Sequence, residues 1–435
     1  MASRSPSWQR LVLPSGARVI LAPLPGRTSV SVSLLCGVGS RWEQRRLAGI
    51  SHFLEHIVFK GTERYPDSRA VSESVEGVGG VLNASTDKEL TAFWARVPRR
   101  HLELAIDVLT DLAFAPKIEA DEVERERNVV LEELSTYLDQ PSDLVQMDFD
   151  ELIWKAHPLA RDPAGSKASL ARIGAPELAQ YRNAFYRPER LVVVLSGGFD
   201  PSRAMRLLER RLEPALAKQS AAVPLGDDGG TPLPLPPEFE VKVRRRRGEQ
   251  VHLLLGARCS SYLSSERWIL DVLNTILGEG MSSRLFLELR ERQALAYDVH
   301  SFTARHRDSG AFGIYIATQP ERAVTAVRGA MAEVGRLAQE QLSALDLERT
   351  KDQIEGRMLL QTESAGALSE FLGHQELLTE GILSPTEVVE NVKAVTASQV
   401  QSLADRLLHG GGWRVAAVGP LVGQEQLQEA MAVGG

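Results

Sequence analysis

Apolar residues recur along the chain with two different periods, which predict strands and helices in alternation. Serine and apolar residues alternate between Thr28 and Cys36, which predicts a half-buried strand, and the apolar run Leu191–Ser196 predicts a buried one. Helical spacing of apolar residues predicts helices near residues 47–60, 101–114 and 119–139. The segment LVLPSGARVILA near the N-terminus carries Pro and Gly at its centre and predicts a hairpin.

The same order of elements returns in the second half of the chain. The predicted strands are Val251–Leu255, Phe312–Ala317 and Trp413–Val418, and the predicted helices are Ser265–Leu277, 321–341 and 344–362. Cys36 and Cys259 follow equivalent strands. This order indicates an internal duplication with a period of about 220 residues.

A segment rich in proline and glycine separates the two halves. Residues 216–240 include KQSAAVPLGDDGGTPLPLPPEFE and lack a periodic apolar signal. The prediction is an α+β protein with two homologous α/β domains, each a mostly antiparallel sheet flanked by helices. The domains are predicted at residues 1–215 and 241–435, with 216–240 as linker.

Composition restricts the class of function. A chain of 435 residues with 43% hydrophobic and 25% charged residues is typical of a folded two-domain protein. The net charge of −7 argues against nucleic-acid binding, which requires a basic surface. Two cysteines are too few for a disulfide scaffold, and we expect no transmembrane helix and no secretory signal. These features predict a cytoplasmic protein without membrane contact.

The pentapeptide His-Phe-Leu-Glu-His, residues 52–56, carries the candidate chemistry. On a helix, His52 and His56 project from one face one turn apart and can bind one metal ion. Glu55 would lie beside that metal as the general base. Glu126 and Glu133 share a face of the predicted helix 119–139, so one could be the third ligand while the other supports a histidine.

The pentapeptide is the inverted zinc motif H-x-x-E-H of the inverzincins. HFLEHIVFKGT, residues 52–62, and ERERNVVLEEL, residues 124–134, resemble the two metal-site motifs of the pitrilysin, insulin-degrading enzyme and mitochondrial processing peptidase family. The register of that resemblance implies one zinc ion per chain, with Glu133 as the third ligand and Glu126 in support. Manganese or cobalt also suits such a donor set.

Two further segments resemble motifs of the same family. LNAST, residues 82–86, matches a strand edge that presents backbone to substrate, which implies substrate binding by Asn83 and Ala84. GEGMSSRLFLELRERQALAY matches the family's C-terminal motif. It implies that Arg290 and Tyr297 bind the substrate carbonyl and stabilise the oxyanion.

The resemblance implies a half-length, bacterial-type zinc metalloendopeptidase that hydrolyses unfolded peptides inside a clamshell chamber. Half-length members pair to build that chamber. Because this chain carries both the zinc motif and the Arg/Tyr pair, we expect a homodimer in which Arg290 and Tyr297 of one protomer serve the zinc of the other. Two alternatives stay open, a processing peptidase that matures one precursor together with a partner, and a non-catalytic structural subunit.

Overall fold

The computed structural model describes residues 7–217, 229–236, 238–410, 412–420 and 423–432. Residues 218–228 and 237 of the predicted linker lie outside the described residues. The chain divides into two compact units. Unit 1 comprises the described parts of Met1–Ser135, Arg161–Gly230 and Leu360–Ser384, and unit 2 those of Thr136–Ala160, Thr231–Leu359 and Pro385–Gly435.

Strands and helices are interspersed along both halves of the chain. The strands are β1 Gln9–Val12, β2 Arg18–Pro23, β3 Ser29–Cys36, β4 Val81–Thr86, β5 Thr91–Pro98, β6 Leu191–Gly197, β7 Glu240–Arg245, β8 Val251–Cys259, β9 Asp298–Arg305, β10 Gly310–Thr318 and β11 Arg414–Gly419. The helices are α1 Ile50–Val58, α2 Ser68–Glu76, α3 Leu102–Phe114, α4 Ala120–Asp139, α5 Pro141–Trp154, α6 Lys167–Leu170, α7 Ala175–Phe185, α8 Pro201–Arg211, α9 Glu213–Ala217, α10 Arg267–Gly278, α11 Ala323–Gln339, α12 Ala344–Thr362, α13 Ala365–Leu378, α14 Pro385–Lys393, α15 Ala397–His409 and α16 Gln424–Ala432.

Each unit is built on one mixed sheet, and the two sheets share a topology. The first has the order β1-β2-β6-β3-β5-β4 and the second β7-β11-β8-β10-β9. The pairs β2–β6 and β7–β11 are parallel, and the other pairs are antiparallel. Strand β1 is an addition that forms the predicted hairpin with β2. The α+β fold and its internal duplication are therefore confirmed.

Each unit also includes one helix that lies, in sequence, on the other side of the predicted linker. Helix α13 packs on β6 and β3 of the first sheet, and α5 packs on β11 and β8 of the second. At each contact a glycine permits the close approach of the helix to the sheet. A Cβ at Gly373 of α13 would lie 2.8 Å from Leu35, and a Cβ at Gly256 of β8 would lie 2.5 Å from the Phe149 ring of α5. Residues 216–240 thus lie between the strands of the two sheets in sequence, but α5, which precedes them, packs on the second sheet and α13, which follows them, packs on the first.

Candidate metal centre

Helix α1 carries the two histidines and is fixed by buried partners at its start. Its apolar face, which includes Phe53, Leu54 and Ile57, is fully buried. The Glu43 carboxylate, 1% exposed, accepts hydrogen bonds from the backbone N–H of Gly49 at 2.8 Å and of Ser51 at 2.9 Å. A carboxylate at this position satisfies donors that a helix start leaves unpaired.

Three potential ligand atoms converge beside this helix. His52, His56 and Glu133 each offer one such atom, and the three atoms lie within 4.8 Å of one another. The two Nε2 atoms are 3.2 Å apart, and Glu133 Oε2 lies 3.4 Å from His56 Nε2 and 3.7 Å from His52 Nε2. The structure thus brings together the three residues predicted as ligands, while their role as ligands stays a prediction.

Glu126 lies behind His56 and sets its orientation. Its Oε1 is 2.9 Å from His56 Nδ1, and its Oε2 is 2.5 Å from Lys60 Nζ. Because an ionised carboxylate only accepts hydrogen bonds, Nδ1 is the protonated nitrogen and Nε2 keeps its lone pair for a metal. Lys60 was not among the predicted site residues, although its position one turn after His56 is a signal that the sequence contains.

His52 is prepared for a metal in a different way. Its Nδ1 is buried and has no hydrogen-bond partner among the described residues. Burial and the neighbouring His56 together lower the pKa of His52, so the ring tends to be neutral, as ligation requires. Two neutral imidazole nitrogens and one carboxylate oxygen form a donor set that suits zinc. The described residues therefore fit the ion that the motif implies.

Glu55 lies on the same helix and is held by the sheet. The hydroxyl of Thr86, at the end of β4, donates to Glu55 Oε2 at 2.5 Å. Burial raises the pKa of Glu55, although the Thr86 hydrogen bond and the nearby His56 oppose this shift. A carboxylate with a raised pKa is a better proton acceptor. The sequence did not single out Thr86, because only the fold brings residue 86 beside residue 55.

The other predicted residues lie on strand β4, in a helical segment and directly before strand β9. Asn83 and Ala84 are on β4, the outermost strand of the first sheet as the structure describes it. Arg290 lies in the π-helical segment Phe286–Arg292 of unit 2. Its guanidinium is 5.6 Å from the ring centre of Tyr297, which is 70% exposed. The structure pairs Arg290 with Tyr297, and the substrate-binding roles of all four residues stay predictions.

Comparison with known proteins identifies the family. The family model described as insulinase (peptidase family M16) matches residues 18–166, and the one described as peptidase M16 inactive domain matches residues 172–354. A relative from Streptomyces coelicolor, named an uncharacterized zinc protease, is 33% identical over 98% of this chain and 92% of its own length. The chain belongs to peptidase family M16. A relative of this M16 chain from Bacillus subtilis, with the same description, is 33% identical over 92% of this chain and 95% of its own length. The predicted family resemblance is thereby confirmed.

Solved structures show the same fold. A protease from Helicobacter pylori superposes with a TM-score of 0.89 at 21% identity, covering 96% of this chain and 100% of that one. A peptidase M16 inactive domain from Pseudomonas fluorescens gives 0.86 at 20% identity, covering 96% and 99%. Among the described residues of this M16 chain, no helix has the length and apolarity needed to cross a bilayer. The cytoplasmic location stays a prediction.

Proposed function

We propose that this M16 protein is a zinc-dependent endopeptidase that hydrolyses internal bonds of unfolded peptides. The observation that carries the proposal is the convergence of His52, His56 and Glu133, with Glu55 on the same helix and buttressed by Thr86. Three protein ligands and a carboxylate base at one centre are what metal-assisted peptide hydrolysis needs. The relatives from Streptomyces coelicolor and Bacillus subtilis, both described as uncharacterized zinc proteases, support the same reaction.

Each side chain at the metal centre has a separate role in the proposed reaction. Zinc, when bound, supplies a Lewis acid that lowers the pKa of water and polarises a carbonyl. Glu55 accepts a proton from the attacking water at the carboxylate oxygen not bonded to Thr86, and then delivers it to the leaving amine. Glu126 keeps the proton of His56 on Nδ1. Lys60 bonds to the second oxygen of Glu126 and so holds this carboxylate in place.

A homodimer is part of the proposal. The Arg290 guanidinium and the exposed Tyr297 hydroxyl are donors suited to a developing oxyanion. We propose that they act on the metal centre of the partner protomer. Mixing Glu55→Ala subunits with Arg290→Ala subunits tests this arrangement, because one intact centre then forms in each mixed dimer. Recovery of activity on mixing is expected, and a mixture as inactive as its parents would exclude action in trans.

The peptidase activity itself is tested with one unstructured peptide and three samples. Wild type should cleave the peptide, wild type stripped by a chelator should not, and activity should return with zinc. Glu55→Gln should keep its zinc and lose turnover by about 10²- to 10⁴-fold, the usual contribution of a general base. Zinc retention without cleavage of any peptide would favour the non-catalytic subunit. Cleavage of one precursor only, and only with a second protein present, would favour the processing peptidase.

A further inference from the structure

Four arginine side chains line one cavity of unit 1, on segments that are distant in sequence. The cavity has a volume of about 510 Å³. Arg27 lies in the loop between β2 and β3, Arg99 and Arg100 lie in the turn that leads from β5 to α3, and Arg203 lies in the first turn of α8. Only the fold brings these segments together, and a cavity of this size is in the range of sites that bind small molecules.

The charge of this cavity is opposite in sign to that of the whole chain. Its lining contains four arginines and one acidic residue, Asp200, which leaves three positive charges in excess, whereas the chain carries −7. The Asp200 carboxylate caps α8, where it accepts the backbone N–H of Arg203 at 2.6 Å. Like charges gathered in this way repel one another, so an anion that neutralises them stabilises the folded chain.

The four guanidinium groups, which are all exposed, form no ion pair with a carboxylate in the part of the chain that the structure describes. Arg27 donates to the backbone carbonyl of Glu363 at 3.1 Å, and Arg100 donates to the ring of His101 at 3.0 Å. Each bond uses one of the five N–H donors of a guanidinium. The other donors remain available, and their planar fork matches pairs of phosphate oxygens.

The rest of the lining is largely apolar. Leu102 is buried, and Leu24 and Phe199 are half-buried, in contrast to the exposed arginines. The apolar side chains therefore form the floor of the cavity, and the guanidinium groups lie toward its opening. Phe199 offers an aromatic surface on which a planar ring can stack. A ligand that fits this lining carries negative charge on one part and an apolar ring on another.

Two helices begin at the cavity and add to its preference for anions. Strand β5 leads through residues 99–101 into α3, and β6 leads through residues 198–200 into α8. The start of a helix carries unpaired backbone N–H groups, and the helix dipole favours negative charge there. No side chain caps the start of α3. The helix starts and the arginines therefore favour the same kind of ligand.

The cavity lies at the opposite end of the first sheet from the metal centre. Thr86, which bonds to Glu55, pairs with Thr91 at the start of β5, whereas Arg99 directly follows the end of that strand at Pro98. Strand β5 has eight residues, and a strand rises about 3.3 Å per residue, so the two sites are about 20 Å apart. A small ligand in the cavity would not reach the metal centre.

We propose that this cavity binds the diphosphate group of a small ligand, with the arginines on the phosphate oxygens. The group can belong to a nucleoside diphosphate or be inorganic diphosphate, and the half-buried Phe199 favours the nucleoside form. Hydrogen bonds between charged groups are strong, so the loss of one arginine should weaken binding by about 10- to 100-fold. The site is independent of the proposed peptidase reaction.

Three variants test the proposal. Arg99→Ala combined with Arg203→Ala removes two of the four positive charges, and Phe199→Ala removes the aromatic surface. Arg172→Ala combined with Arg349→Ala is the matched control. Both control arginines are exposed and form no ion pair within the described chain, but they do not line the cavity.

The experiment is titration calorimetry of the full-length protein with ADP, inorganic diphosphate and inorganic phosphate. Wild type is measured both loaded with zinc and after removal of zinc. We expect wild type and the control variant to bind ADP and diphosphate more tightly than phosphate, whether or not zinc is present. The variant that lacks Arg99 and Arg203 should bind both ligands at least about 10-fold more weakly.

The two sources of the diphosphate group are distinguished in the same titrations. Tighter binding of ADP than of diphosphate, with the difference lost in Phe199→Ala, would assign the site to a nucleoside diphosphate. Equal or tighter binding of inorganic diphosphate would assign it to the inorganic ion. The proposal would be overturned by absence of binding, by equal affinity for phosphate, by binding that requires zinc, or by an equal loss of affinity in the control variant.

Discussion

Glu43 is a buried carboxyl group that holds the start of the metal-binding helix. Its replacement by glutamine should change the free energy of unfolding by an amount that depends on pH. Burial raises the pKa of Glu43 from 4.5 to about 7, even though the backbone N–H groups of Ser51 and Gly49 and the charge of Arg161 act against the shift. Near neutral pH and above, the folded protein must therefore hold a largely desolvated negative charge at the start of α1.

The magnitude follows from the size of that shift. A displacement from 4.5 to about 7 corresponds to about 3 kcal/mol, since one pKa unit is worth about 1.4 kcal/mol. Between these two values the folded chain binds a proton that the unfolded chain has released. The contribution of Glu43 to the free energy of unfolding is therefore highest below pH 4.5 and falls as the pH rises to about 7. Glu43→Gln keeps an acceptor for one backbone N–H and does not titrate.

Urea unfolding of wild type and Glu43→Gln, both with a chelator present, measures this difference. At about pH 5 the variant should be less stable, because its amide oxygen accepts from only one of the two backbone N–H groups. By about pH 8 it should have gained about 2.5 kcal/mol relative to wild type, slightly less than the full shift because pH 5 already lies above 4.5. Glu177→Gln is the control, since Glu177 also accepts a backbone N–H at a helix start, that of Gly174, but is only half-buried. A gap between wild type and Glu43→Gln that stays constant with pH, or moves the other way, would refute the reasoning.

Three further predictions concern other parts of the structure. Glu126→Gln should weaken zinc binding about 10- to 100-fold in a chelator competition, because the His56 ring loses its orienting carboxylate, and unchanged affinity would contradict this role. Phe149→Ala should lower the free energy of unfolding by about 3–5 kcal/mol, since the ring is 1% exposed in the core of unit 2, and a loss below about 1 kcal/mol would show that the core collapses around the gap. Burial raises the pKa of Cys36 to about 12, so its thiol should resist Ellman's reagent until urea unfolds the protein; rapid native labelling at Cys36 would contradict the burial.

The sequence could predict the sheets better than the assignment of helices to them. Alternation along β3 and the apolar run of β6 are local signals, and their repetition in β8 and β11 revealed the duplication. No such local signal shows which sheet α5 and α13 pack on, because helical periodicity shows that a face is buried without showing which sheet covers it. The decisive features are Gly256 and Gly373, whose missing side chains permit close packing that only the folded chain displays.

The residues of the candidate site also differ in whether the sequence alone could predict them. His52, Glu55 and His56 lie within one helical turn of each other, so their geometry follows from a local pattern. Glu133 was chosen over Glu126 through the register of a family motif, and the structure places its carboxylate beside both histidines. Thr86 could not be found in this way, because only the fold brings it beside Glu55 on α1. Glu43 is close in sequence to the N–H groups of Gly49 and Ser51 that it accepts from, but no motif marks it.

The most direct test of the zinc-peptidase account is the zinc content and peptidase activity of Glu133→Gln beside those of Glu132→Gln. The two variants make the same replacement of glutamate by glutamine at neighbouring residues of α4, but only Glu133 has a carboxylate oxygen among the three converging ligand atoms. The account predicts that Glu132→Gln keeps one zinc ion per chain and cleaves peptides as wild type does, while Glu133→Gln loses both properties. Full zinc occupancy and activity in Glu133→Gln would contradict it.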